Sequence, residues 1–195
     1  VHSYSVATKD IKELKVPVEG DYYIPRITFT TNSDQLAVMT LNRQQNVFNM
    51  YYVNPKSGVS RLILRDENKC YVDSEWLTSI HFNPSGFTYV SEQDGYSHIY
   101  LYSPTGVMQR QVTKGNWDVT RLIGYDDATK VVYYESAEES PLRRSVYKID
   151  QKGVKTKLSE GEGTNNADFS ANYAYFVNNY SNANTPAVIT ACVAG

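Results

Sequence analysis

The chain has 195 residues, a formal net charge of −2 at pH 7 and 17 tyrosines. It has no Lys/Arg stripe interleaved with aromatic residues that would offer a basic field for phosphate groups, so no nucleic-acid partner is expected. No apolar run approaches the roughly 18 residues that suggest a membrane-spanning helix, whereas abundant Tyr, Val, Ile and Thr suit half-buried β-strands.

A short apolar strand recurs four times along the chain, at offsets of 53, 42 and 45 residues. Self-similarity at a period of about 40–50 residues is typical of a β-propeller, in which each repeat forms one four-stranded blade. The predicted first strands are residues 27–29, 80–82, 122–125 and 167–169.

In chain order, the pattern begins with two short strands, residues 2–6 and 13–16, joined by a turn at 8–10. They are interpreted as the outer half of a blade. Complete units follow, with corners rich in Asn, Asp, Ser and Gly, which tolerate the backbone of tight turns. Their second, third and fourth strands are predicted at residues 36–39, 50–53 and 59–64, then 87–90, 99–102 and 107–112, then 131–134, 146–149 and 154–158.

The C-terminal part of the pattern is interpreted as the inner strands of a later blade, residues 167–177 and 187–193. Residues 164–166 and 181–186 are polar and rich in breakers, and they are predicted to be inter-strand loops.

The sequence therefore predicts an all-β fold, a partial β-propeller with about three complete four-stranded antiparallel blades and partial blades at both ends. A blade buries its faces against neighbouring blades. Residues 1–195 are accordingly expected to be a fragment of a larger propeller domain.

Most motifs that carry catalytic chemistry are missing from the sequence. A serine hydrolase of the α/β class needs a Gly-X-Ser-X-Gly turn to expose its nucleophile, and no such pentapeptide occurs. His2, His81 and His98 have no partners at metal-ligand spacing, which favours packing or surface roles. Residues 161–163 (GEG) lack a third glycine and a following helix, which favours a polar turn over a nucleotide-binding loop.

The remaining motifs are weak. Glu138 and Glu139 could hold an ammonium group between adjacent carboxylates, but their position in a link between two strands favours solvated charges. Cys70 and Cys192 are too few for a disulfide framework, so unpaired thiols are the preferred interpretation and a disulfide stays open. Residues 179–181 (NYS) match a glycosylation sequon.

Several segments, in this order and along essentially the whole chain, resemble the N-terminal propeller of dipeptidyl peptidase IV-like enzymes. These enzymes belong to the prolyl oligopeptidase family of serine peptidases. The segments are residues 23–29 (YIPRITF), 41–46 (LNRQQN), 91–102 (SEQDGYSHIYLY), 111–119 (QVTKGNWDV) and 180–186 (YSNANTP).

The resemblance implies a two-domain exopeptidase that releases N-terminal dipeptides with Pro or Ala in second position. Its propeller gates the entry of peptides and helps to bind them, and the Ser, Asp and His of its triad belong to a C-terminal α/β-hydrolase domain. That domain is expected to be absent here, so this fragment alone is expected to be inactive and no catalytic residue is named.

The resemblance also implies partners and a location. The expected partners are a peptide substrate, the C-terminal domain of the same parent chain and a second copy in a homodimer. No metal or other cofactor is expected. Relatives of this kind are commonly periplasmic, exposed at the cell surface or secreted.

One loop carries the candidate site. By position, residues 70–76 align with a loop that lines the substrate pocket in related enzymes, which makes Glu75 and Trp76 the predicted substrate-binding residues. A plain structural loop is the alternative. The paired glutamates that bind the substrate amine in the family lie on a helical insertion in an earlier blade, so that role is not assigned to Glu138 and Glu139.

A second class of function stays open, that of a non-catalytic propeller that serves as a protein-interaction platform. Propellers host many unrelated functions, so the architecture by itself cannot choose between the two. The downstream reading frame distinguishes them, because only the peptidase requires a Gly-X-Ser-X-Gly turn followed by Asp and His.

Overall fold

The computed structural model describes residues 1–195 as a succession of short β-strands with one turn of 3₁₀ helix, η1. The elements are β1 (His2–Tyr4), β2 (Ile11–Glu13), β3 (Tyr22–Phe29), β4 (Leu36–Asn42), β5 (Val47–Val53), β6 (Ser60–Glu67), η1 (Ser74–Thr78), β7 (His81–Asn83), β8 (Gly86–Ser91), β9 (His98–Tyr102), β10 (Met108–Gln111), β11 (Val119–Asp126), β12 (Val131–Ser136), β13 (Ser145–Ile149), β14 (Lys155–Lys157), β15 (Thr164–Phe169), β16 (Tyr175–Asn182) and β17 (Thr185–Val193).

The strands form antiparallel sheets in which neighbours in sequence are neighbours in space. Three sheets have four strands each, in the orders β3-β4-β5-β6, β7-β8-β9-β10 and β11-β12-β13-β14. A two-stranded sheet, β1-β2, precedes them and a three-stranded sheet, β15-β16-β17, follows them. This succession of complete and partial four-stranded units is the one that the repeat predicts.

The tight hairpins between the third and fourth strands follow from glycine. Gly58, Gly106 and Gly153 lie in these turns with φ angles of 78°, 87° and 88°. Residues with a side chain rarely adopt this left-handed backbone, so glycine allows each outer strand to fold back directly. The turns predicted at these three places are confirmed.

The chain divides into two compact units. The first comprises Val1–Phe87 and Ser103–Val107, and the second comprises Thr88–Tyr102 and Met108–Gly195. Each unit has apolar clusters of its own. In the first, Leu14, Val38, Tyr51 and Val53 are buried together. In the second, the buried cluster consists of Tyr133, Val146, Ala167, Phe176 and Ala194.

The strand predicted at residues 13–16 is misplaced. The pairing strand is β2, where Ile11 lies opposite Tyr4 and Glu13 opposite His2. Leu14 is buried, and its N–H donates to the carbonyl of Val1 at 2.8 Å, so one main-chain bond extends the pairing past Glu13. After Leu14, the N–H of Val18 donates to the carbonyl of Val16 at 2.9 Å, a bond within the segment and not to a partner strand.

Three predictions about the last sheet are also wrong. Tyr173, predicted in a strand, lies in the preceding turn with φ of 55° and stacks on Tyr133 at a ring distance of 4.7 Å. The supposed loop at 164–166 belongs to β15, since Thr164, Asn165 and Asn166 lie opposite Ser181, Tyr180 and Asn179 of β16. The loop predicted at 181–186 shrinks to residues 183–184 between β16 and β17.

Candidate functional site

The loop that holds Glu75 and Trp76 connects β6 to β7 in the first unit and contains η1. Asp73 caps this helical turn, with its Oδ1 accepting from the N–H of Glu75 at 2.9 Å. At the other end, the hydroxyl of Thr78 donates to the Glu75 carbonyl at 2.8 Å, and Ser79 donates its N–H and hydroxyl to the Trp76 carbonyl at 3.1 and 2.8 Å. The N–H of Glu75 and the carbonyls of Glu75 and Trp76 are therefore satisfied locally.

A neighbouring turn fixes this loop. The N–H groups of Asn68 and Val72 donate to the carbonyls of Asn46 and Gln45, at 3.0 and 2.8 Å. Those carbonyls belong to the β4–β5 turn, where Asn42 Oδ1 accepts from the N–H groups of Asn46 and Val47, each at 3.0 Å. The loop is thus hydrogen-bonded to a turn that is itself internally bonded.

Two apolar side chains of the loop are buried and stabilise it. Val72 is 6% exposed and Leu77 is 2% exposed, so both bury almost all of their surface. Burial of two aliphatic side chains contributes about 1.5–3 kcal/mol each relative to exposure. The loop is therefore packed and hydrogen-bonded against the rest of the first unit.

The two predicted binding residues differ in environment. Glu75 is exposed, so its carboxylate can accept a hydrogen bond from a cationic group that approaches from solvent. Trp76 is half-buried, and its indole Nε1 is buried without a hydrogen-bond partner. Tyr71, 60% exposed, adds a second aromatic surface to the same loop. A carboxylate beside aromatic rings can bind an amine that carries an apolar group.

The sequence favours solvated charges for Glu138 and Glu139; Glu139 is exposed, but both carboxylates form ion pairs. Glu138 binds Lys155 through both carboxylate oxygens at 2.6 and 2.8 Å, and Glu139 binds Lys157 at 2.7 and 2.9 Å. Tyr147 also donates its hydroxyl to Glu139 at 3.0 Å. The hydrogen bond from Lys157 is the main cause that lowers the pKa of Glu139. Both carboxylates are therefore occupied by lysines of the outer strand.

His98 has the packing role that the sequence favours. It is fully buried, and its ring meets Trp117 edge-on at a centroid distance of 5.0 Å. Its Nε2 lies 2.9 Å from the Gly115 carbonyl and its Nδ1 lies 3.0 Å from the Thr113 hydroxyl. Because a carbonyl only accepts, Nε2 must carry the proton, and both ring nitrogens are satisfied within the protein.

Sequence reasoning missed a buried ionic contact in the second unit. Glu135, 4% exposed, accepts the N–H of Ala167 at 2.9 Å, while Arg121 donates to the Ala167 carbonyl at 3.2 Å. Arg121 also lies 3.4 Å from Glu135 and 2.9 Å from Asp168. Burial raises the pKa of Glu135, and the bonds from Ala167 and Arg121 offset part of that rise. No spacing rule brings these positions together.

Other site types find no support among the residues. No group of three or more His, Cys, Asp or Glu side chains is arranged to hold a metal ion. Cys70 and Cys192 are free thiols. No helix has the length and apolar character needed to cross a membrane.

The chain matches a family model described as the dipeptidyl peptidase IV N-terminal region over residues 1–187. Among curated proteins, dipeptidyl peptidase 4 of Trichophyton rubrum is 28% identical over 197 aligned residues, which cover 95% of this chain and 25% of that protein. Dipeptidyl peptidase 4 of Arthroderma otae is 27% identical with the same coverage. The chain thus spans about a quarter of the length of these relatives.

Solved structures agree. The crystal structure of Porphyromonas gingivalis dipeptidyl peptidase 4 superposes with a TM-score of 0.94 at 59% identity, covering 97% of this chain and 27% of that one. A Bacteroides ovatus protein, 22% identical, superposes with a TM-score of 0.78 over 98% of this chain and 30% of its own, and it supports the fold alone. The predicted fold class, an all-β partial β-propeller, is confirmed, and the chain belongs to the dipeptidyl peptidase IV N-terminal region family.

Proposed function

We propose that this chain is the propeller portion of a dipeptidyl peptidase IV-like serine exopeptidase. The parent enzyme releases N-terminal dipeptides with Pro or Ala in second position, and its propeller gates and helps to bind the peptide. The observation that carries the proposal is the 59% identity to a dipeptidyl peptidase 4, with a TM-score of 0.94 over 97% of this chain.

In this proposal the chemistry is divided between two domains. A serine nucleophile on a C-terminal α/β-hydrolase domain performs the acyl transfer, with His as base and Asp as its orienting partner. The propeller wall excludes bulky substrates by size and removes water from the bound dipeptide, which strengthens hydrogen bonds and charges at the site. Residues 1–195 then contribute binding and access, and they contribute no bond-breaking group.

Glu75 and Trp76 are the residues proposed to contact the peptide. The exposed Glu75 carboxylate attracts a cationic group of the substrate, and the half-buried Trp76 ring offers an apolar surface beside it. Their support is the capped helical turn and its hydrogen bonds to the β4–β5 turn, because a binding group held on a fixed loop loses little entropy on contact.

The direct test uses a chromogenic dipeptide substrate ending in Pro. The 195-residue chain alone is expected to give no turnover, whereas a polypeptide that also contains the hydrolase domain is expected to cleave the substrate. Turnover by the isolated chain at the rate of such an enzyme would refute this division of roles.

The proposed contacts are tested in the longer polypeptide. Glu75→Gln and Trp76→Ala are expected to raise KM several-fold with little change in kcat, because they remove binding made equally in the ground and transition states. Glu67→Gln is a matched control, since Glu67 is an exposed carboxylate that pairs with Arg65 at 3.1 Å. Unchanged KM in both loop variants would reduce the loop to a structural role.

A platform without catalysis is the alternative function. It predicts a downstream sequence without a Gly-X-Ser-X-Gly turn, and it predicts no cleavage by any length of the polypeptide. The same assay therefore separates the two functions.

A further inference from the structure

The turn between β4 and β5 carries an arginine without a partner. Arg43 is exposed, and its guanidinium forms no hydrogen bond or ion pair within the chain. By contrast, Arg65 of β6 pairs with Glu67 at 3.1 Å. A guanidinium presents its N–H donors in a planar fork that matches the two oxygens of a carboxylate. Arg43 is therefore free to bind an anionic group that approaches from solvent.

The main chain beneath Arg43 is held in one course by Asn42. The N–H of Gln45 donates to the Asn42 carbonyl at 2.9 Å, which closes the turn around Arg43. The side chain of Asn42 accepts from the N–H groups of Asn46 and Val47, each at 3.0 Å, and its Nδ2 donates to Asn46 Oδ1 at 2.8 Å. A binding group on a turn bonded in this way loses little backbone entropy on contact.

This turn lies against the loop of the proposed peptide-binding residues, and both belong to the first unit. The carbonyl of Gln45 accepts from the N–H of Val72 at 2.8 Å. Arg43 precedes Gln45 by two positions, and Glu75 follows Val72 by three. The α-carbons of Arg43 and Glu75 are therefore at most about 25 Å apart, a distance that about seven residues of extended peptide cover.

The charges on the turn and the loop are left for a ligand. Glu75 is exposed, and no ion pair joins it to Arg43. Lys69, exposed and unpaired, adds a second cation on the loop, whereas the carboxylate of Asp73 caps η1. This surface thus offers one carboxylate to a cationic group and two cations to a carboxylate. A peptide that carries both kinds of charge complements it.

We propose that Arg43 binds an acidic side chain of the peptide substrate, at a position that follows the N-terminal dipeptide. This inference rests on the proposed function, in which Glu75 and Trp76 contact the peptide. The guanidinium donates two parallel N–H groups to the carboxylate, and Lys69 adds to the local positive potential. The preferred substrates are then peptides with Asp or Glu within about seven residues of the segment that contacts Glu75.

The test compares the KM of three peptides in a polypeptide that also contains the hydrolase domain. All three begin with Ala-Pro, continue with Gly and Ser, and have amidated C-termini, so that a side chain provides the only carboxylate. One carries Asp at position five, one Asn at position five and one Asp at position eighteen. We expect KM to be about threefold to tenfold lower for Asp at position five than for Asn, and no gain from position eighteen.

Substitution of Arg43 separates its role from a general effect of charge. Arg43→Gln is expected to raise KM for the peptide with Asp at position five to that of the Asn peptide. Arg43→Lys should keep part of the preference, because it retains the charge and loses the planar fork. Arg61→Gln is the matched control, since Arg61 is an exposed arginine of β6, opposite Tyr52, and its loss changes the net charge equally. That variant should keep the full preference.

Three outcomes would overturn the inference and leave the exopeptidase function in place. They are equal KM for Asp and Asn at position five, a preference that persists in Arg43→Gln, and an equal gain from Asp at position eighteen. In each of them the Asn peptide is still cleaved. Failure to cleave both the Asn peptide and the chromogenic dipeptide substrate would instead overturn the proposed function, and this inference with it.

Discussion

Glu135 accepts a hydrogen bond from the main-chain N–H of Ala167 at 2.9 Å, across 32 positions of sequence. Arg121 completes this contact by donating to the carbonyl of the same residue at 3.2 Å. Two side chains of the β11–β12 hairpin therefore bind both main-chain groups of one residue in β15, the first strand of the next sheet.

Removal of the Glu135 acceptor should destabilise the second unit. Glu135→Ala leaves a buried N–H without a partner, and we expect a loss of about 1–3 kcal/mol in the free energy of unfolding. Glu135→Gln keeps an acceptor for Ala167 and should cost less. Urea unfolding of both variants measures the difference, and equal losses would show that the hydrogen bond contributes nothing beyond packing.

The difference in stability between wild type and Glu135→Gln should depend on pH. Burial raises the folded-state pKa of Glu135 above its ordinary value of 4.5, so the folded state binds this proton more readily than the unfolded state. The stability contributed by Glu135 is then greatest below pH 4.5 and falls as pH rises through the folded pKa. Wild type should therefore lose stability relative to Glu135→Gln as pH rises from 4.5 through the folded-state pKa. The free energy of unfolding of both proteins, measured by urea at several pH values, tests this. A difference independent of pH would contradict the raised pKa.

Thr113 should matter through its hydroxyl alone. The oxygen accepts from the N–H of Ile99 at 3.0 Å while lying 3.0 Å from Nδ1 of buried His98. Thr113→Val keeps the shape and leaves two buried groups unpaired, so we expect about 1–3 kcal/mol of destabilisation. Thr105→Val, at an exposed hydroxyl bonded to Ser103 at 2.9 Å, is the control and should be near neutral. Thermal unfolding measures both variants. Equal melting temperatures for Thr113→Val and Thr105→Val would show that the hydrogen bonds of the Thr113 hydroxyl contribute no stability.

The space beside the α-carbon of Gly124 is too small for a side chain. A β-carbon added there would clash with the hydroxyl of Tyr173. Gly124→Ala should therefore cost about 1–3 kcal/mol, as other overpacked substitutions do. Tyr173→Phe removes the obstructing oxygen, so the double variant should lose less than the sum of the two single losses. A double-mutant cycle of unfolding free energies measures this, and strict additivity would exclude the clash.

Lys157 should control the titration of Glu139. The pKa of Glu139 is lowered chiefly by the hydrogen bond from Lys157, so Lys157→Gln should raise it toward its ordinary value. A lowered folded pKa stabilises the protein above the unfolded value, and that stabilisation is lost as pH falls through the folded value. The pair is partly solvated, so the effect should be about 0.2–1 kcal/mol.

Carboxyl NMR titration measures the change, with Lys155→Gln as the matched control because Lys155 pairs with Glu138 instead. If the pKa of Glu139 is unchanged in Lys157→Gln but rises in Lys155→Gln, then Lys155 and not Lys157 is its partner.

The strands and most turns were predictable because their signals are local. Alternating apolar residues and corners such as those at Gly58 and Gly153 specify a strand and its hairpin within a few positions. The failures have non-local causes. Asn165 enters a strand because Tyr180 of β16 lies opposite it, and Leu14 is buried because it packs with Val38 and Tyr51. No local pattern contains those partners.

The candidate site divides in the same way. Position in the family pattern predicted Glu75 and Trp76 as binding residues, which stays a prediction. The support of their loop depends on the carbonyls of Gln45 and Asn46, which residue types do not reveal. The ionic contacts of Glu135, Glu138 and Glu139 likewise needed coordinates, because strand register decides which lysine or arginine each carboxylate meets.

The 68–79 loop is attached to the β4–β5 turn through main-chain carbonyls, so the bonds that hold its backbone do not involve the side chains proposed to bind peptide. Neither Asn46 nor Gln45 uses its side chain to hold Asn68 or Val72. If the loop binds peptide as proposed, substitutions at Tyr71, Glu75 and Trp76 should change its contacts to the peptide while its backbone keeps the same course. Under that proposal, ligand preference could change by side-chain substitution alone, without a change in the backbone that supports the loop.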